Sequence, residues 1–281
     1  MGYAFFIDMG QEITPHIKRL LMSHITGLSM TQLLAERYFC LSEEQQKWYV
    51  EAIERLKNNE PLQHVMGQCE FYGRKFKCDG RALVPRPETE ELVEWIISMH
   101  NAQCIIDNGF NILDIGTGTG CIALSLAKEL AEAEVMALDI SAKALNLARE
   151  NAEILEVKNV DFVEEDILNM DDKHVVAKDK YTVIVSNPPY VRECEKKDME
   201  ANVLEYDPHT ALFVSDEDPL IFYRAIGEFG LTHLKDRGAL YFEINQYLGQ
   251  ETCDLLIAMG YRNVEMREDI NGNPRMIKAT L

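Results

Sequence analysis

The stretch Leu113-Asp114-Ile115-Gly116-Thr117-Gly118-Thr119-Gly120 runs from an apolar strand into three alternating glycines, and a helical pattern begins at Cys121. Glycines let the backbone turn tightly and let a ligand approach it without meeting a Cβ atom. A nicotinamide-binding loop of the GxGxxG type would carry its last glycine at position 121, which is occupied by Cys121. The spacing is therefore GxGxG between a strand and a helix. A glycine-rich turn with a purely structural role is the alternative interpretation.

Short apolar strands alternate with helical patterns from residue 111 onward, which predicts an α/β fold with a mostly parallel sheet covered on both faces. The seven expected strands are Asn111–Ile115, Glu134–Asp139, Val160–Val163, Tyr181–Ser186, Ala239–Ile244, Asn263–Arg267 and Arg275–Thr280. The expected helices are Cys121–Glu132, Ser141–Leu155, Pro219–His233 and Leu248–Met259. The connection Glu268–Pro274 is too short for a helical crossover, so the last two strands should form an antiparallel hairpin.

Residues 1 to about 65 read as helical. Ser42 followed by Gln45 is a capping-box signature, and it predicts a helix that ends near Asn58. Glu70–Phe76 reads as a hairpin with Gly73 at its turn, and a helix should span about Glu88–Asn101. We therefore predict a small N-terminal helical domain over residues 1–67, a hairpin linker over 68–87 and an α/β domain over 88–281.

The overall charge disfavours one class of partner. The 281 residues contain 28 Lys and Arg and 47 Asp and Glu, for a formal net charge of −19. General affinity for nucleic acid rests on neutralising phosphates with basic side chains, so no direct nucleic-acid partner is expected. The seven cysteines are scattered and do not cluster with histidines, which favours free thiols in a reducing compartment and no metal site. With no signal peptide and no long apolar run, we expect a cytoplasmic protein that does not enter the membrane.

Acidic residues at the ends of the next two strands are further candidates for the site. Asp139 ends that strand, where a carboxylate can accept hydrogen bonds from both hydroxyls of a ribose. The third strand ends at Glu164-Glu165-Asp166-Ile167, which could equally be an acidic surface turn.

The segment Ser186-Asn187-Pro188-Pro189-Tyr190 follows the fourth strand, Tyr181–Ser186, and carries the most specific signal. An amide or exocyclic amine nitrogen is a poor nucleophile because its lone pair is delocalised. The Asn187 side-chain oxygen and the Pro188 carbonyl can each accept a hydrogen bond from one N–H of an NH₂ group. These bonds orient the nitrogen and stabilise the positive charge that develops on it in the transition state. Pro189 restricts the backbone, and Tyr190 offers a flat face to a planar substrate group. This chemistry suits adenine, cytosine, guanine and glutamine equally well.

Together, the glycine loop and the NPPY segment resemble the class I S-adenosylmethionine-dependent methyltransferases, which have a Rossmann-like, seven-stranded, mostly parallel sheet. By that resemblance the cofactor-binding residues are Asp114, Gly116, Thr117, Gly118, Thr119, Gly120, Asp139, Asp166, Ile167 and Asn187. Asp114 would lie near the amino-acid end of S-adenosylmethionine. Asp166 would accept from the adenine amino group, and Ile167 would cover the ring. Asn187, Pro188, Pro189 and Tyr190 would bind the substrate, with Asn187, Pro188 and Tyr190 catalytic and no metal involved.

A closer resemblance covers nearly the whole chain from about residue 20. The segments Pro61–Gly67, Glu70–Gly73 and Leu83-Val84-Pro85-Arg86-Pro87-Glu88-Thr89-Glu90, followed by the motifs above in the same order, resemble the HemK/PrmC family of protein-(glutamine-N5) methyltransferases. The resemblance implies that the substrate is the glutamine of the Gly-Gly-Gln loop of peptide chain release factors. It also implies that the N-terminal helical domain helps to grip the release factor, with a monomer as the default state.

Two other functions remain as alternatives. A nucleic-acid amino methyltransferase of the adenine-N6 type would show a basic face, and a noncatalytic cofactor-sensing or docking protein would typically have lost Asn187 or a glycine. Within the PRPETE segment we interpret Arg86 as a structural cation paired with Glu88 or Glu90 rather than as a substrate-steering group. We also interpret Phe71 as a core residue, since hairpin aromatics are usually buried.

Overall fold

The structure is a computed structural model, and it describes residues 13–35, 40–103, 109–170 and 180–281. Two compact units emerge from its internal contacts. The first runs to Gln68 and includes Glu200–Tyr206, and the second comprises Cys69–Met199 and Asp207–Leu281. The first residues of the expected N-terminal domain lie outside the described part of the chain.

The first unit is built from short helices around a small apolar core. These are α1 (Pro15–Thr26), α2 (Met30–Ala35), α3 (Glu43–Lys57), α4 (Leu62–Met66) and, from the later segment, α8 (Ala201–Tyr206). The predicted capping box is confirmed, because Gln45 N donates to Ser42 Oγ and Ser42 N donates to Gln45 Oε1. Leu21, Ile53 and Val65 are buried together in the core. The short α4 helix lies in the stretch that reads as helical, although no separate helix was expected after Asn58.

The second unit begins with a hairpin and centres on one large sheet. The hairpin is formed by β1 (Gln68–Phe71) and β2 (Arg74–Lys77), as predicted. The large sheet has seven strands: β3 (Phe110–Ile115), β4 (Ala133–Asp139), β5 (Val160–Glu164), β6 (Tyr181–Ser186), β9 (Leu234–Glu243), β10 (Arg262–Glu268) and β11 (Pro274–Thr280). Their order is β10-β11-β9-β6-β3-β4-β5. A further two-stranded pair is formed by β7 (Val191–Arg192) and β8 (Phe213–Val214).

Strand directions confirm the predicted sheet. The five strands from β9 to β5 run parallel to their neighbours, whereas β11 is antiparallel to both β9 and β10. The chain order reverses at β3, which lies between β4 and β6. Ligands in such sheets bind beyond the carboxyl ends of the strands, at the point where the order switches. The end of β3, where the glycine loop begins, is therefore the expected position of a site.

Helices cover both faces of this sheet. They are α5 (Pro87–Gln103), α6 (Cys121–Glu129), α7 (Ala142–Ile154), α10 (Ile221–His233) and α11 (Gly249–Met259). The unit also contains the short helix α9 (His209–Leu212) and 3-10 turns at Ile167–Asn169 and Glu193–Asp198. Successive residues of β3 face opposite sides: Ile112 packs in the cluster with α5 and α6, and Leu113 packs in the cluster with α10 and α11. This alternation produces two apolar cores separated by the sheet.

The largest difference from the sequence prediction is in β9. It begins at Leu234, immediately after α10, rather than at Ala239. Leu234 is buried and pairs with Tyr181 of β6, and Ala239 pairs with Val183. The polar residues Lys235–Arg237 fall in the irregularity between these two pairs. A Cβ atom at Gly238 would lie 2.9 Å from the Tyr181 carbonyl oxygen, so the backbones approach closely there. Strand pairing therefore outweighs the loop-like composition of this stretch.

Candidate functional site

The ends of β3, β4 and β6 meet beside one cavity in the second unit. The strands are in register, since Ile115 of β3 pairs with Leu138 of β4 on one side and with Ser186 of β6 on the other. The cavity has a volume of about 380 Å³, which is within the range of small-molecule sites. Eight of the predicted site residues line it: Gly116, Gly118, Asp139, Asp166, Ile167, Asn187, Pro188 and Pro189.

Asp114 holds the glycine loop in place through hydrogen bonds on the side away from the cavity. Its Oδ2 atom accepts from Thr117 Oγ1 at 2.7 Å and from Ala123 N at 3.2 Å, so one buried carboxyl ties the end of β3 to the loop and to α6. Its Oδ1 atom is buried without a hydrogen-bond partner. Burial raises the pKa of Asp114 to about 7, and its two hydrogen bonds only partly oppose that rise. Asp114 thus shapes the loop from behind, outside the cavity lining.

The glycine loop presents backbone to the cavity. Gly116 N and Thr117 N both donate to the Leu138 carbonyl, at 2.8 and 2.9 Å, which holds the loop against β4. Gly118 has a φ angle of +57°, a conformation that L side chains rarely adopt. A Cβ atom on Gly116 would lie 3.9 Å from the carbonyl oxygen of Asn187, so the loop and the NPPY segment face each other closely. Thr117, Thr119 and Gly120 do not line the cavity.

Asp139 is held with its carboxylate at the cavity wall. Oδ2 accepts from Gly118 N at 2.9 Å, and Oδ1 accepts from Ser141 N at 2.8 Å. Each carboxylate oxygen has a second lone pair available to a ligand. Burial raises the pKa of Asp139, whereas the two backbone donors lower it. A group with hydroxyl donors, such as a ribose, fits this arrangement.

The neighbouring wall is apolar. Ile140, 61% exposed overall, and Ile167 line it together. Asp166 lies on the same wall, but its Oδ1 accepts from Leu168 N and its Oδ2 from Asn169, so both oxygens already cap the short 3-10 turn. The sequence prediction missed Ile140, although an exposed apolar residue directly after Asp139 was a usable signal.

The NPPY segment is anchored on the side away from the cavity. Tyr190 does not line the cavity; its hydroxyl donates to Glu243 Oε1 at 2.9 Å, and its carbonyl accepts from Asn245 Nδ2 at 2.9 Å. Asn187 Nδ2 donates to Thr89 Oγ1 at 3.4 Å. Burial raises the pKa of Glu243, against the lowering effects of its bonds from Thr89 and Tyr190. Thr89 and Glu243 were not predicted as site residues.

Arg86 has a different partner from the one expected. The Glu88 and Glu90 pairing was wrong, because Arg86 Nη2 lies 3.2 Å from Oδ2 of the buried Asp207. The structural role proposed for Arg86 fits this ion pair, and Phe71 is buried as predicted.

Neither a membrane-spanning helix nor a metal-binding cluster occurs in the described residues. No described helix is both long and apolar enough to cross a bilayer. Within residues 13–35, 40–103, 109–170 and 180–281, no group of His, Cys, Asp and Glu side chains is arranged to hold a metal ion.

Comparison with known proteins identifies the family. Residues 2–67 match the model of the PrmC N-terminal domain, and residues 106–220 match a methyltransferase domain. A protein of Flavobacterium psychrophilum named release factor glutamine methyltransferase is 50% identical over 80% of this chain and 77% of its own. The chain belongs to the release factor glutamine methyltransferase family. A protein of the same name from Bacteroides thetaiotaomicron is 43% identical over 94% of this chain and 91% of its own.

Membership of this family confirms the class I methyltransferase expectation, with S-adenosylmethionine as the methyl donor. The fold is also found in a methyltransferase from Pyrococcus furiosus, with a TM-score of 0.51, 17% identity, and coverage of 85% of this chain and 98% of that one. The cavity fits such a cofactor, since it combines exposed loop backbone at Gly116, a carboxylate at Asp139 and an apolar wall at Ile140.

Proposed function

We propose that this protein methylates the side-chain amide nitrogen, N5, of the glutamine in the Gly-Gly-Gln motif of peptide chain release factors. The products are N5-methylglutamine and S-adenosylhomocysteine, and the step belongs to translation termination. One observation carries the proposal: Asn187 and Pro188 line the same cavity as Gly116 and Asp139. Groups suited to holding an NH₂ therefore lie beside groups suited to holding the methyl donor, and the names of the relatives support a release factor as the substrate.

The loop and the strand ends would hold the cofactor. Gly116 and Gly118 offer backbone to its methionine part, Asp139 accepts from its ribose hydroxyls, and Ile140 and Ile167 cover its adenine. Bound there, S-adenosylmethionine supplies a methyl group on a sulfonium, an electrophile strong enough for a weakly nucleophilic nitrogen. Both carboxylate oxygens of Asp166 already accept one hydrogen bond from its own 3-10 turn. The second lone pair on each oxygen would accept from the adenine amino group.

Asn187 and Pro188 prepare the glutamine amide. Each provides one carbonyl oxygen to one N–H of the amide, so the nitrogen is held in place and its lone pair is released from conjugation as the N–H bonds are drawn out of plane. The same two oxygens stabilise the positive charge that develops on the nitrogen. The methylated nitrogen becomes acidic as it gains that charge, and it loses one proton to water, so no dedicated base is required.

The remaining contacts concern the protein partner. We assign release-factor gripping to the N-terminal helical domain, 1–67, with 68–87 as linker and 88–281 as the catalytic domain. The net charge of −19 argues against the adenine-N6 alternative, because an acidic protein repels phosphate backbones. All six cysteines within the described residues are free thiols, which supports work in a reducing compartment, and we assign the protein to the cytoplasm as a monomer.

The proposal is tested by methyl transfer from labelled S-adenosylmethionine to a purified release factor. The controls are the same factor with its Gly-Gly-Gln glutamine changed to alanine, and duplex DNA. We expect label in the wild-type factor alone. Label in DNA alone would replace the proposal with the nucleic-acid alternative, and bound cofactor with no transfer would favour the sensing or docking function.

A further inference from the structure

A chain of buried polar side chains lies behind the NPPY segment. Asn187 Nδ2 donates to Thr89 Oγ1 at 3.4 Å, and Thr89 Oγ1 donates to Glu243 Oε2 at 2.6 Å. Tyr190 donates to the other carboxylate oxygen of Glu243 at 2.9 Å. Thr89 is 2% exposed and Glu243 is 1% exposed, so water does not compete for these bonds. The chain joins the start of α5, the end of β9 and the amide-binding loop.

Proton counting fixes the direction of each bond. A hydroxyl has one proton, and Thr89 gives its proton to Glu243 because a carboxylate can only accept. The Thr89 oxygen is then an acceptor toward Asn187, so the NH₂ of Asn187 must face Thr89. Its Oδ1 therefore points away from Thr89, as the acceptor that a substrate NH₂ needs. If the Asn187 amide were reversed, its NH₂ would face the NH₂ of the substrate, and neither group could accept.

We propose that Thr89 and Glu243 are positioning residues that set the orientation of the Asn187 amide and thereby its ability to accept from the substrate NH₂. The inference rests on the proposed function, since it assigns to Asn187 the contact with the glutamine amide. Neither residue lines the cavity, so they act through Asn187 rather than on the substrate or the cofactor.

The protonation state of Glu243 decides whether this direction is kept. Protonated Glu243 could donate to Thr89, which would then donate to Asn187 Oδ1 and reverse the amide. Burial and Glu88 raise the pKa of Glu243, whereas Thr89, Tyr190 and Arg275 lower it. Tyr223 faces the backbone at the same position, with its hydroxyl donating to the Glu243 carbonyl at 3.3 Å. The proposal therefore includes a loss of turnover at acid pH, as Glu243 takes up a proton.

Three threonine variants separate positioning from folding. Thr89→Val removes the hydroxyl and keeps the shape, and Thr89→Ser restores the hydroxyl. Thr252→Val is the matched control, since Thr252 is fully buried in α11 and its hydroxyl bonds only its own helix, at Leu248 O. With labelled S-adenosylmethionine and release factor, we expect kcat about tenfold lower for Thr89→Val, the value of one buried hydrogen bond. Thr89→Ser and Thr252→Val should stay within about twofold of wild type by the same reasoning.

The pattern of constants distinguishes this role from a general loss of structure. The KM for release factor and the affinity for S-adenosylmethionine should be unchanged in Thr89→Val, because only an orientation that matters in the transition state is lost. Wild-type kcat in Thr89→Val would overturn the proposal. So would an equal loss in Thr89→Ser, since its hydroxyl can make the same two bonds.

Two further readouts complete the test. In the ¹⁵N NMR spectrum, the Asn187 NH₂ signals are those absent from Asn187→Ala; they should exchange slowly with solvent in wild type and quickly in Thr89→Val. Equal exchange rates in the two proteins would overturn the proposal. The exchange measurement does not depend on methyl transfer, so it still tests the orientation of Asn187 if no release factor is methylated. That second outcome would refute the proposed function.

The pH profile tests the role of Glu243. At saturating cofactor, the fall in kcat at acid pH should disappear in Glu243→Gln. An unchanged fall would show that Glu243 does not set the orientation of Asn187.

Discussion

Replacing Asp139 with alanine should weaken cofactor binding much more than it weakens the fold. In the structure this carboxylate is fixed by Gly118 N and Ser141 N, so its orientation does not depend on the ligand. Preorganised acceptors lose little freedom when a ligand binds. The proposed bonds from the ribose hydroxyls go to a charged acceptor, and hydrogen bonds of that kind contribute about 1.5–3 kcal/mol.

That contribution translates into a measurable affinity change. A loss of about 1.5–3 kcal/mol raises the Kd for S-adenosylmethionine roughly 10- to 150-fold. Isothermal titration calorimetry with S-adenosylmethionine or S-adenosylhomocysteine measures it directly. Asp161→Ala, which removes the same charge from an exposed position on β5, is the matched control and should leave the Kd unchanged. Asn187→Ala is the second comparison, since Asn187 is proposed to contact the substrate amide.

The pH dependence adds an independent check. Burial raises the pKa of Asp139, so the carboxylate takes up a proton at a higher pH than an exposed one would. A protonated carboxyl loses acceptor capacity, and wild-type affinity should therefore fall on acidification, whereas the weaker binding of Asp139→Ala should not follow that fall. Equal loss of cofactor affinity in Asp139→Ala and Asn187→Ala would refute the division of roles between the two strand ends.

Three further predictions follow from the same loops. Asn187→Ala should abolish measurable methyl transfer while cofactor affinity, measured by calorimetry, stays near wild type. Gly120→Ala should lower the free energy of unfolding by about 2–4 kcal/mol, because φ is +81° and the new Cβ would lie 3.0 Å from Leu124 Cδ1. Gly118→Ala, where the Cβ meets only Ala82 at 3.8 Å, should cost about 1–2 kcal/mol in the same guanidinium titrations, and similar values for both would contradict the steric argument. Asp114 has its pKa raised from 3.8 to about 7, so its contribution to stability is complete below about pH 4 and is lost as the pH rises through about 7. Asp114→Asn does not titrate, and its stability relative to wild type should improve by about 3 kcal/mol between pH 5 and pH 8; a constant difference would mean that Asp114 stays ionised.

The sequence predicted the structure best where a particular residue type is required for a local backbone conformation. The GxGxG loop, the capping box at Ser42 and the short hairpin connection Glu268–Pro274 each fix a backbone conformation over a few residues, and the structure contains all three where they were predicted. Boundaries shifted where pairing between distant segments decided the outcome. Lys235–Gly238 belong to β9 because the flanking residues Leu234 and Ala239 pair with β6, and no local pattern records those distant partners.

The predicted residues of the site differ from the missed ones in their position relative to the strands. Gly116, Asp139 and Asn187 all follow strands directly, and parallel strands bring such positions to one edge. Thr89 lies in the first turn of α5, and its partner Glu243 is distant in sequence, so their contact depends on how α5 packs on β9. One signal was nevertheless present: Glu243 is a charged residue within the apolar run Leu240–Ile244, and a buried charge requires partners.

The order of the strand ends along the sheet divides the chemistry between the two sides of β3. On one side, β4 ends at Asp139, which the proposal assigns to the cofactor. On the other side, Ser186 of β6 pairs with Phe242 of β9. The next residues of these two strands, Asn187 and Glu243, are therefore neighbours at the edge of the sheet. The glycine loop after β3 lies between them, within contact distance of the Asn187 carbonyl. Because Glu243 lies outside the cavity lining and bonds Thr89, which in turn bonds Asn187, a change at the end of β9 should alter the rate of methyl transfer without altering cofactor affinity. A change at the end of β4 should do the reverse.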